Sequence, residues 1–124
     1  MNEALFQEKA LEALEQIPAN FLERLQNVEI IVEDFANSDI LKSLNIDSKW
    51  HLLGLYVGHP LTERSFFQTT LFPDRIYLFR LPILRSHDGK MDIVEAIRDV
   101  IVHEIGHHFG FSDDELLHMK GSTL

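Results

Sequence analysis

His103-Glu104-Ile105-Gly106-His107-His108-Phe109-Gly110-Phe111-Ser112-Asp113 carries an HExxH core, and its spacing sets what the surrounding chain has to build. On an α-helix, residues four apart lie roughly 40° from one another around the axis and roughly 6 Å along it. His103 and His107 therefore project from one face, one turn apart, as two imidazole ligands of a single zinc ion must. Glu104, adjacent to the first ligand, is placed to take a proton from a water on the metal's open side rather than to bind the metal. A catalytic zinc usually has three protein ligands and one open position. Gly110 shows where the third comes from, because a glycine at that offset can take the left-handed conformation that ends a helix and turns the chain back. Asp113 is then the natural third ligand, with Asp114 and Glu115 as alternatives. The same acids also suit the first turn of a following helix, where the dipole favours them. The metzincin pattern has histidine at the offset of Asp113. A carboxylate there leaves the complex with a formal charge of about +1 rather than about +2, which weakens the metal as a Lewis acid and asks more of Glu104 as base.

Working outward, Asp92 and Glu95 form a capping box that opens a long helix over 93–109, after a turn at Ser86-His87-Asp88-Gly89. Its apolar face is Ile93, Ile97, Val100, Ile101 and Ile105, and His103 and His107 stand at the margin of that face. His108 lies nearer the apolar side and is expected to be a buried, hydrogen-bonding histidine outside the metal set. Ser112 to Glu115 repeats the capping pattern and starts a short last helix to about Lys120.

At the other end, Phe6, Ala10, Ala13, Leu14 and Ile17 form one buried stripe on a helix over residues 3–16, which Pro18 ends. A short helical segment is expected at Phe21 to Leu25. Val28, Ile30 and Val32 alternate with Glu29, Ile31 and Glu33 as a half-buried strand does. One helical turn at Ile40 to Leu44 and a glycine-weakened strand over 52–58 follow, stopped by Gly58 and Pro60. Ile76, Leu78 and Phe79 sit between Pro73 and Pro82 and are expected in an edge strand, or one that ends at an edge, since proline interrupts a central ladder. The expected architecture is α+β, a small sheet with an N-terminal helix and the long helix packed on one face.

The 124 residues, 45% hydrophobic and 25% charged, suit a single domain over 1–124. No Cys is present, which removes disulfides and thiol nucleophiles and fits a reducing compartment, hence an expected cytoplasmic location. No run reaches membrane-spanning length. No membrane partner is expected, and a net charge of -9 makes nucleic acid a poor partner. His51, His59, His87 and His118 receive no role. Trp50, Phe66, Phe67 and Phe72 are expected in the core.

The stretch 103–114, together with Leu-Gly-Leu-Tyr-Val-Gly-His-Pro-Leu-Thr-Glu-Arg at 53–64 and Pro-Asp-Arg-Ile-Tyr-Leu-Phe-Arg at 73–80, closely resembles a family of small bacterial zincin-like metallopeptidases. The resemblance implies a minimal zincin whose active-site helix carries HExxHxxGxxD. It puts His103, His107 and Asp113 on the family's metal positions, with one zinc per chain, and Glu104 on its catalytic position. It implies a peptide or protein substrate, expected to lie extended along the strand at 75–80, where Tyr77 or Arg80 could face the oxyanion but is more simply an ordinary strand residue. Two rival readings stand beside it. One is a module of the same fold that binds without cleaving. The other is a metal-dependent ribonuclease with helical histidines, against which Glu104 and the acidic balance both argue.

Overall fold

The computed structural model describes residues 1–19, 28–58, 74–87, 89 and 91–109, with side chains as far as Gly106. Helix α1, Glu3–Glu15, begins where the Asn2 side chain accepts a hydrogen bond from Leu5 N at 2.9 Å, satisfying one of the amides that a helix start leaves open. It ends in a turn in which Gln16 N donates to Ala13 O and Ile17 N to Leu14 O. Phe6, Ala10, Ala13 and Ile17 are buried and Leu14 is half-buried, so the expected stripe forms. The two alanines on that stripe leave room for a second helix to lie close.

Strand β1, Val28–Glu33, follows the expected alternation, with Ile30 and Val32 buried and Glu29 and Glu33 exposed. Helix α2, Ser38–Ser43, is capped by Asn37, which accepts from Ile40 N at 2.8 Å. A 3-10 turn at Lys49–His51 leads into β2, Gly54–Val57. Strand β3, Asp74–Phe79, runs straight into helix α3, Arg80–Ser86. The sheet order is β1-β3-β2, with β1 parallel and β2 antiparallel to β3.

The expectation of an edge strand between Pro73 and Pro82 is therefore corrected: β3 is the central strand, with Ile76 paired to Ile30 on one side and Tyr56 on the other. The prolines do not obstruct it. Pro73 precedes the strand in sequence, and Pro82 is the third residue of α3, where a helix has no internal acceptor for the missing N–H. Helix α3 itself is not foreseen from the sequence for the same reason, since a proline inside seven residues reads as a breaker.

Ile30, Val32, Tyr56, Ile76 and Leu78 turn one face of the sheet towards the helices and form the core with α1 and helix α4, Ile93–Phe109. The long helix spans the range expected of it. Its first ladder bond runs from Ala96 N to Asp92 O, with Glu95 in the first turn. Val94, Ile97, Ile101, Val102 and Ile105 are buried, while Ile93 and Val100 are only partly covered. The buried stripe is broader than expected because α4 packs on both α1 and the sheet. The expected helices at Phe21 to Leu25 and after Ser112, together with His59, Phe66, Phe67 and Phe72, lie outside the described residues. Among the described residues no helix is long and apolar enough to cross a membrane.

A smaller cluster pins the segment between β1 and β2. Trp50 is half-buried there rather than in the main core, edge-on to Phe35 with ring centres 4.7 Å apart and covered by Arg85 at 4.8 Å. Arg80 closes the end of β1 by donating twice to Asp34 Oδ1, at 3.0 and 2.8 Å, and once to Met1 O at 2.8 Å.

Candidate metal centre and its groove

Residues 99, 100, 103 and 104 of α4 look across the edge of the sheet at β2. They approach closely because of Gly54. A methyl group at that position would stand 2.9 Å from Val100 Cγ1, 3.1 Å from the carbonyl oxygen of Tyr77 and 3.4 Å from Glu104 Cγ. The first two distances are too short for ordinary contact, so only glycine lets helix and strand meet at this spacing. What weakens β2 as a strand is thus what seats Glu104.

Above this contact opens a cavity of about 710 Å³. His103 and Glu104 line it, His103 exposed and Glu104 half-buried. Asp99, one turn before His103 on the same side of the helix, lines it too. On the far side stand Leu44, Ile46 and His51. The spacing of Asp99 ahead of His103 was readable from sequence and was overlooked. His51 was not readable, because only the tertiary fold brings the 3-10 turn to α4.

His107 continues α4 one turn beyond His103. Its side chain lies outside the described residues, as do the side chain of His108 and the whole of Gly110, Asp113, Asp114 and Glu115. The described part thus contains one of the three expected ligands, and among the described residues no three His, Asp or Glu side chains gather as a metal would require. The donor chemistry that is described does suit a divalent cation. The cavity wall offers imidazole and carboxylate groups, and among its described residues there is no Lys or Arg to compete with a metal.

The two residues considered for an oxyanion are elsewhere. Arg80 is held by Asp34 and Met1. Tyr77 pairs in β3 beside Leu78, so it points to the face away from α4, where its ring lies along that of Phe79 at 6.4 Å. Of the histidines given no role, His87 donates from Nε2 to Met91 O, closing the loop before α4. Away from the cavity lining, one charged side chain is buried among the described residues, Asp74, which accepts a 2.6 Å hydrogen bond from Tyr56 Oη. That bond ties β2 to β3.

None of the curated proteins matches this chain. A solved structure of a conserved hypothetical protein from Thermo thermophilus superposes with a TM-score of 0.57 over 88% of this chain and 94% of that one, at 22% sequence identity, and so shares its fold. The profile of the zincin-like metallopeptidase family matches residues 25–122, a span that takes in β1, the groove, α4 and the whole HExxH stretch. The chain belongs to the zincin-like metallopeptidase family.

Proposed function

We propose that this protein is a zinc-dependent metallopeptidase that hydrolyses peptide bonds, with Glu104 as general base and with His103, His107 and Asp113 as the ligands of one zinc ion. The observation that carries the reading is that Glu104 and His103 line one cavity bordered by β2, an edge strand among the described residues. When bound, zinc would supply a Lewis acid that polarises a carbonyl and makes water acidic enough to attack it. Glu104 takes the proton of the attacking water and returns it to the leaving amine, which is why a carboxylate half-buried at the cavity wall is needed rather than one free in solvent. The missing side chain at Gly54 lets the Glu104 side chain lie against β2.

The strand expected to carry the substrate at 75–80 lies in the middle of the sheet, so among the described residues the edge strand next to Glu104, to which a peptide could add, is β2. A peptide or protein is the proposed substrate. Nucleic acid is not, given the net charge of -9 and the absence of Lys and Arg among the described residues of the cavity wall. A cytoplasmic location is proposed on the lack of cysteine.

The test pairs zinc binding with cleavage. Calorimetry on metal-stripped protein should give about one zinc per chain, by the coordination rule for catalytic zinc, lost in His107→Ala and weakened in Asp113→Ala. Glu104→Gln should keep the zinc and lose about 100-fold to 10,000-fold in kcat, the usual contribution of a general base. Full activity in Glu104→Gln would remove the proposed mechanism. Zinc binding without cleavage of any peptide would leave the non-catalytic binding module in its place.

A further inference from the structure

The cavity has two chemically different walls. On the α4 side stand Asp99, His103 and Glu104 with Val100; the chain leading from α2 into β2 supplies Leu44, Ile46, Leu52 and Leu53, with His51 among them. The apolar wall is well anchored although it lies outside the main core. Asn45, between Leu44 and Ile46, takes a left-handed conformation with φ of 57°, which asparagine tolerates better than most residues. Ile46 N then donates back to Leu41 O at 2.9 Å, folding the chain onto the end of α2. Leu44 is left 44% exposed beside a site of proposed chemistry.

We propose that this wall selects an apolar side chain next to the bond to be cut, with Leu44 and Ile46 as the specificity-determining residues, an inference that rests on the peptidase reading above. A peptide laid along β2 past Glu104 must send side chains to alternate sides, and the one that enters the cavity meets leucine and isoleucine opposite the carboxylates. The volume of about 710 Å³ is that of a ligand site rather than a packing defect, so a leucine, isoleucine, methionine or phenylalanine fits with its flanking backbone. An acidic side chain there would face Asp99 and Glu104, with only the imidazoles of His51 and His103, and no Lys or Arg among the described lining residues, to set against that repulsion. The substrate class is therefore a peptide with a large apolar residue at one position beside the scissile bond and without Asp or Glu at that position.

Binding and cleavage can be separated with the zinc-loaded Glu104→Gln protein, challenged with a randomised peptide library, while the native protein is profiled for cleavage of the same library. The expected result is retention of peptides enriched in Leu, Ile, Met or Phe at one position and depleted in Asp and Glu there. Replacing that residue by Ala should weaken binding about tenfold to a hundredfold, the worth of burying one such side chain. Leu44→Glu in the same background should weaken binding by about tenfold or more, because it puts a charge on the apolar wall, and the milder Leu44→Ala should weaken it a few-fold. Leu11→Glu, on α1 and 46% exposed, should change nothing. Retention without an apolar preference, retention indifferent to Leu44→Glu, or no retention of any peptide overturns the inference. Apolar peptides held by Glu104→Gln but left intact by the native protein would keep the ligand class and remove the peptidase reading. Cleavage with no apolar preference would do the reverse.

Discussion

Helix α4 carries two stripes that run side by side for three turns and obey different rules. One, through Ile97, Ile101 and Ile105, is buried between α1 and the sheet, at 0–1% exposure. The other, through Asp99 and His103 with Glu104 beside it, opens onto the groove, and His107 continues its spacing one turn further. The first stripe holds the helix in place; the second uses a helix that is already held. The two should respond to substitution in opposite ways. Ile101→Ala should cost about 2–5 kcal/mol of unfolding free energy, since it leaves a cavity in a packed layer. Urea denaturation measures this, and a cost below about 1 kcal/mol would mean that the stripe is less tightly packed than its burial indicates.

The groove stripe should show its energy only when metal is present. With zinc at a hundredfold excess over its Kd, binding to the folded state alone adds about 2.7 kcal/mol of stability. Thermal unfolding of the native protein should therefore rise on adding zinc and fall back on adding chelator, while His103→Ala, exposed in the groove, should show no such rise. A zinc-dependent shift of equal size in His103→Ala would show that the metal sits elsewhere and would break the division between the stripes.

The two stripes were also unequally legible in the sequence. The buried one declared itself through apolar residues at helical spacing, as did Phe6, Ala10 and Ala13 on α1 and the alternation from Val28 to Glu33. These signals are local, and burial on one face is all they require. Within the groove, His103 and Glu104 were legible because they are neighbours on one helix, and Asp99 could have been found by the same spacing. The opposite wall was not, since Leu44, Ile46 and His51 reach the site only through the path of the chain between β1 and β2. Strand order failed for a related reason. Two flanking prolines argued for an edge, but whether a proline harms a ladder depends on whether it lies within the strand, and one fell in the first turn of α3 instead.

Gly54 is where the two regions touch, and it offers the smallest but most informative perturbation. Gly54→Ala adds a single methyl group, which would lie 2.9 Å from Val100 Cγ1 and 3.1 Å from the Tyr77 carbonyl oxygen. The carbonyl belongs to the central strand and cannot retreat without breaking the ladder, and Val100 is carried by α4, so relief of the shorter contact moves α4 away from β2. Overpacking of this kind costs about 1–3 kcal/mol, part of it returned because alanine loses less chain entropy on folding than glycine. The net loss of stability should be about 1–2 kcal/mol, less than for Ile101→Ala. The shift has a second consequence that no substitution within either stripe shares, because Glu104 Cγ lies 3.4 Å from the same point. Moving the helix moves the proposed base, so kcat should fall while zinc affinity, set by the proposed ligands on α4 and the chain after it, should change little. If Gly54→Ala lowered stability and left kcat untouched, Glu104 would not depend on β2 for its position, and the groove would be a looser structure than the helix that borders it.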